Sequence, residues 1–238
     1  MGRAYEVRKA AMAKTNAAKT KLYSRFGKEI YQAAKNGVPD VESNLNLKRV
    51  VERAKKAQVP ADIIKRAIDK ASSGSAENYS EVVYEGFGPG ASTIIVKCLT
   101  DNVNRTIADV RNCFTKNKGK LGVPNSVMYN YNAVSMFSFK GLTEDQVIEA
   151  LLLKEVDIND IEQEDDIITV YGEHTNFYAI KEALEGYKSD IEFEIEENTY
   201  LANDYVTLEG EDLDSFKRLL DMLDEVDDVQ DVYHNVNV

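Results

Sequence analysis

Near residue 76 the spacing of apolar side chains changes, and with it the kind of structure this chain can build. Upstream, Leu22, Phe26, Ile30 and Ala33 or Ala34 recur at steps of three and four, which is the period of one helix face. Leu47, Val50, Val51 and Ala54 repeat that spacing, as do Ile63, Ile64, Ala67, Ile68 and Ala71. The stop signals agree. Gly37, Pro39 and Asp40 follow the first run, Ser43 or Asn44 offers an N-cap to the second, Pro60 opens the third and Gly74 closes it. Residues 1–76 are therefore expected to form a three-helix domain, with residues 1–19 as a basic arm.

Downstream the period falls to two. Beta-rich runs at 81–85 and 92–99 lead into a helix at 104–118 and a strand at 127–131. A strand at 134–140, a helix at 143–153, strands at 156–161 and 167–171, a helix at 175–186 and a strand at 191–197 follow. That βαββαβ order is ferredoxin-like. A strand at 205–208, a helix at 211–225 and a strand at 229–233 are too few to enclose a core, so they are expected to complete the sheet begun at 77–133. The fold class expected is α+β multidomain: an N-terminal three-helix domain, a discontinuous α+β domain from 77–133 and 199–238, and a ferredoxin-like domain, 134–198, inserted in it.

Charge divides the 238-residue chain in a different way. The first 71 residues hold 17 of the 29 Lys and Arg but 7 of the 41 Asp and Glu, whereas residues 141–238 hold 5 and 29. A basic module is thus joined to a strongly negative body, which points to a polyanion held at one end. In the first helix Lys21, Arg25, Lys28, Gln32 and Lys35 form one stripe at steps of 4, 3, 4 and 3. Arg49, Arg53 and Lys56 repeat it in the second helix, with Lys48 and Lys55 on a neighbouring row. Such stripes suit a phosphate backbone, which attracts cations whatever the base sequence. Arg105, in TDNVNRT, lies at the start of a helix whose free amides also favour an anion. These ten cations, Lys21, Arg25, Lys28, Lys35, Lys48, Arg49, Arg53, Lys55, Lys56 and Arg105, are the expected nucleic-acid contacts. Tyr23 and Tyr31 fit packing better than base stacking.

Other chemistry finds little support. Gly86, Gly88 and Gly90 precede a strand rather than a helix, so a hairpin is expected and not a phosphate-cradling loop. His174 and His234 lack metal-ligand spacing, and Asp224, Glu225, Asp227, Asp228 and Asp231 do not follow a calcium-loop pattern and read as a solvated turn. No Walker loop, HExxH or nucleophile motif is present, so no enzyme, cofactor or metal is expected. Two cysteines, Cys98 and Cys113, and the lack of a long apolar run fit a reducing cytoplasm without a membrane partner.

Several separated blocks carry a family likeness: ESNLNLKRVVERAKKAQVPADIIKRAIDKA (42–71), YEGFGPG (84–90), CLTDNVNRTIADVR (98–111), KGKLG (118–122) and DDVQDVYHN (227–235). In this order they resemble the YebC/PmpR family over nearly the whole chain. The opening MGR and SRFGKEIYQAAKNG (24–37) are closer to its YeeN-like branch. Two departures stand out: Tyr5 lies near the place of a usual Trp, and Lys118–Lys120 replaces a glycine-rich pair. The resemblance implies a cytoplasmic, non-enzymatic, three-domain protein that regulates transcription by binding DNA. The alternative it implies is a ribosome-associated translation factor that binds ribosomal or transfer RNA and relieves stalling. In either case the acidic body could dock on basic ribosomal proteins or transcription machinery.

Overall fold

The structure, a computed structural model, describes residues 19–74 and 78–237; the expected basic arm lies outside them. Three helices open the described chain: α1 (Lys19–Lys35), α2 (Leu45–Lys56) and α3 (Ala61–Ser72). Phe26, Ile30, Tyr31, Ala33 and Ala34 bury one face of α1 against Leu47, Val50, Val51 and Ala54 of α2 and Ile64 and Ala67 of α3. The α1–α2 joint is held by one side chain. Asn44 Oδ1 accepts the Leu47 N–H at 3.0 Å, while its Nδ2 donates to the carbonyls of Ala33 and Val38 at 2.9 Å each. A cap of this kind stabilises a helix by about 1 kcal/mol. A Cβ on Gly37 would lie 2.6 Å from that Nδ2, so the turn requires glycine.

The chain continues as β1 (Ser80–Phe87), β2 (Thr93–Thr100), α4 (Val103–Lys116), β3 (Lys120–Leu121), β4 (Tyr131–Lys140) and α5 (Glu144–Leu153). It then forms β5 (Asp160–Glu164), β6 (Ile167–Glu173), α6 (Phe177–Tyr187), β7 (Phe193–Ala202), α7 (Gly210–Glu225) and β8 (Val229–His234). Two four-stranded antiparallel sheets result, ordered β3-β1-β2-β8 and β5-β6-β4-β7. The architecture is α+β with a helical N-terminal part.

One compact unit takes the described residues through Met128 together with Leu208–His234. Its sheet starts with the β1–β2 hairpin, whose connection contains Gly88 and Gly90, the latter at φ +61°, while Gly86 lies within β1 opposite Ile94. Gly86 exists because of a close approach: a Cβ there would lie 2.3 Å from the Phe114 ring of α4. Phe114, Phe216, Leu219 and Leu223 are buried, which places α4 and α7 on the core. The expected strand at 127–131 does not form in this sheet; β3 takes the edge. The reason is Glu85, 7% exposed, whose carboxylate accepts the backbone N–H groups of Asn125, Val127 and Met128 at 2.6–2.7 Å. A buried carboxylate needs donors, and here it bends the segment into a loop.

The other unit takes Tyr129–Thr207 and the described C-terminal residues from Asn235. Phe137, Phe139, Ile168 and Val170 of its sheet pack against Val147 and Leu151 of α5 and Ile180 and Leu184 of α6. The hairpin turn, with Asp165 at φ +54°, fixes the pairing Glu164↔Ile167, so the strand expected at 156–161 forms instead at Asp160–Glu164. The strand expected at 191–197 is longer, because β7 stays paired with β4 to Tyr131↔Ala202. The expected boundary at 199 thus falls inside a strand, and the strand expected at 205–208 is reduced to a bridge between Val206 and Val236.

Candidate nucleic-acid interface

The two basic stripes have different surroundings. Along α1, successive helical turns bring Lys21, Arg25 and Lys28 against the end of α7 and the turn before β8. Arg25 Nη2 is 2.7 Å from Asp224 Oδ1, and Lys21 donates to the Asp224 carbonyl. Lys28 Nζ is 2.8 Å from Asp228 Oδ1 and donates to the Asp227 carbonyl at 2.8 Å. The Arg25 and Lys28 side chains retain 17% and 15% of their exposure, so this is a half-buried contact rather than a solvated face.

Asp228 is the centre of that contact and is 4% exposed. Its Oδ2 accepts from Arg105 Nη2 at 2.7 Å, and the hydroxyls of Thr100 and Thr106 lie 3.0 and 2.8 Å away. Burial pushes the carboxyl up, but the donors Lys28, Arg105 and Thr106 outweigh it and bring its pKa down to about 2. Arg105 also binds Asp101 Oδ1 at 2.8 Å, so the chain's own carboxylates stand before the cation expected to meet an external anion. The acidic turn expected to be solvated is, at Asp228, part of the interior. Its sequence signal was the opposite charge of two short segments, the cations at 21, 25 and 28 and the acids at 224, 227 and 228.

The α2 stripe points elsewhere. Lys55 and Lys56 are exposed, Arg49 and Lys48 are half-buried, and Arg53 is 51% exposed. Lys48 makes a 3.5 Å contact with Glu42, itself 81% exposed. Arg53 lies 3.2 Å from Glu29 and over the Phe26 ring, 5.7 Å from its centroid. Burial raises the Glu29 pKa and Arg53 opposes it. Lys35, in the last turn of α1, lies 3.2 Å from the Tyr31 hydroxyl. Tyr31 is 2% exposed and meets Tyr79 edge-on at 5.6 Å, the packing role expected of it.

Among the described residues no group of three or more His, Cys, Asp or Glu could hold a metal ion. Cys98 is buried beside Asp228, and that burial together with the nearby negative charge pushes its thiol up to about 12, so it is a packing residue and a poor nucleophile. No helix among the described residues is long and apolar enough to cross a membrane.

The profile of the TACO1/YebC N-terminal domain matches residues 3–74, and that of the second and third domains matches residues 79–236. The chain belongs to the TACO1/YebC family. A "Probable transcriptional regulatory protein" of Vibrio campbellii is 50% identical, with 99% of each chain covered. One with the same description from Pseudoalteromonas atlantica is 49% identical over 100% of this chain and 98% of its own. A crystal structure of a conserved hypothetical protein from Aquifex aeolicus superposes with a TM-score of 0.76, at 32% identity, over 94% of this chain and 92% of its own. The YebC-type likeness read from the sequence blocks is thereby established, and relatives in this family are named as regulators of gene expression.

Proposed function

We propose that this TACO1/YebC chain is a non-enzymatic, DNA-binding regulator of transcription that holds phosphates on the outward stripe of α2. The observation that carries this reading is the exposure of Arg53, Lys55 and Lys56 on a helix whose opposite face is fully committed to the core. Lys48, Arg49 and Lys35 extend the cationic surface. Lys21, Arg25 and Lys28 bond to Asp224 and Asp228 of the α+β body instead, and Arg105, within that body, is paired with Asp101 and Asp228. The relatives' names support the regulatory role, and the 29 acidic side chains among residues 141–238 would repel nucleic acid from that part of the chain.

Full-length protein titrated with duplex DNA at rising salt tests the binding. If about five phosphates are neutralised, log affinity falls against log salt with a slope of about −4.5. A flat salt response would overturn the reading. The role is tested in a deletion strain by promoter occupancy and nascent transcripts. Altered ribosome pausing with unchanged transcription would replace transcription with translation as its level of action.

A further inference from the structure

Gly27 lies in the middle of α1, where glycine weakens a helix relative to alanine. Neither usual structural reason applies to it. Its φ is not in the left-handed region, and an added Cβ would meet nothing within 4 Å. Gly37 and Gly86, by contrast, are each required by an atom within 2.6 Å of where a Cβ would be. Gly186 also meets nothing, but it falls in the last turn of α6, where a helix frays.

The space at Gly27 is part of an open groove of about 450 Å³ between α1 and α3. Ile63 gives its wall an apolar surface, the half-buried rings of Tyr23 and Tyr79 line it, and two exposed cations stand at it, Lys70 and Arg66, the latter in an exposed pair with Asp62. Gln32 Nε2 donates to the Tyr79 carbonyl at 3.0 Å, which fixes the backbone that carries one ring. A flat surface for a ring, aromatic neighbours and nearby cations together match a nucleobase with its phosphate. A duplex keeps its bases stacked inside and could offer this groove phosphates alone.

We infer that the groove takes an unstacked base of single-stranded nucleic acid, seated against the α1 backbone at Gly27 beside Tyr23 and Tyr79, with its phosphate near Arg66 and Lys70. The inference rests on the polyanion-binding reading above and extends it from phosphates to bases. Single-stranded DNA and RNA share this chemistry.

The test uses full-length protein and labelled strands of about 12 nucleotides, within the span one single-strand-binding fold covers: oligo-dA, oligo-rA and an abasic strand of equal charge. Base-bearing strands are expected to bind about tenfold more tightly than the abasic strand. Gly27→Leu, which fills the groove, should abolish that ratio while leaving abasic binding and the circular dichroism spectrum intact. A gain for both strands, or for RNA alone through its 2′-hydroxyls, supports the site and names its source. Equal affinity for base-bearing and abasic strands in the natural protein would overturn the groove but leave the phosphate reading standing. Failure of every strand and of duplex DNA to bind would overturn both. Should Gly27→Leu not fold, Tyr23→Leu is read by the same ratio, and an unchanged ratio in that variant overturns the groove.

Discussion

The α1 and α2 stripes look alike in sequence and are opposite in environment. Both repeat Lys and Arg at three- and four-residue steps beside an apolar face. Along α1 those cations meet Asp224 and Asp228, about 200 residues away in the chain. Arg53, Lys55 and Lys56 of α2 remain exposed. Helical periodicity assigns residues to a face but cannot say what the face meets. A cation stripe predicts an external polyanion only after the chain's own acids have been placed, and here Lys21, Arg25 and Lys28 already have partners at Asp224 and Asp228.

The largest break in this comparison should come from Asp228. Asp228→Asn removes the charge facing Lys28 and Arg105 while leaving the volume unchanged. Cutting one member from a buried ion pair leaves the other uncompensated, at a cost of about 3 kcal/mol. Urea unfolding should show that loss, and hydrogen exchange should show α1 opening first. Arg53→Ala, on the outer stripe, removes a partly exposed pair with the half-buried Glu29 and should cost about 1 kcal/mol. Equal effects of the two substitutions would erase the distinction between the stripes.

Next comes binding. Reversing Arg49, Arg53 and Lys56 to Glu should weaken duplex DNA of every sequence by about a hundredfold, since phosphate contacts carry no sequence information. The unfolding midpoint should fall modestly, since Arg53→Glu sets a like charge against the half-buried Glu29. A loss confined to one DNA sequence would show that α2 reads base edges.

Acid sharpens the contrast without a binding partner. The Asp228 carboxyl stands at about 2 in the folded protein against an ordinary 3.8, because Lys28, Arg105 and Thr106 outweigh the burial that pushes it up. A carboxyl held low in the native state stabilises that state fully above its ordinary pKa, and the contribution fades as pH falls from about 4 to about 2. The stability difference between the natural protein and Asp228→Asn should therefore be constant above about pH 5 and shrink toward pH 2. A difference that grows on acidification would mean that Asp228 is protonated in the native state.

Local chemistry was the legible part of this fold. Asn44, one of the two caps expected for α2, caps it, and Asn102 caps α4, since a cap needs only its own turn. The hairpin at 88–92 was equally readable, because a glycine-rich turn followed by a β-rich run excludes a phosphate-binding helix. What escaped depended on partners far away in the sequence. Glu85 captures three amides some 40 residues on and cancels the strand expected at 127–131. β7 runs past 197 because β4 begins at Tyr131 and offers it partners. Asp228 escaped for the same reason: its neighbours in sequence make an acidic turn, whereas its neighbours in space are a lysine, an arginine and two threonines.

The smallest expected effect is also the most direct comparison of the stripes. Each phosphate neutralised on a duplex contributes about 0.9 to the slope of log affinity against log salt. Lys55 is exposed on α2, so Lys55→Ala should flatten that slope by about 0.9 and lower affinity severalfold near physiological salt. Lys21 has the same charge and side chain, but it donates to the Asp224 carbonyl and lies 3.8 Å from the Asp224 carboxylate. Lys21→Ala should leave the slope unchanged and lower the unfolding midpoint slightly, since a partly exposed pair is worth under about 1 kcal/mol. Slopes measured side by side on one duplex decide the matter. If Lys21→Ala flattens the slope as much as Lys55→Ala does, DNA displaces Asp224 from the inner stripe, and α1 leaves its acidic turn when the protein binds.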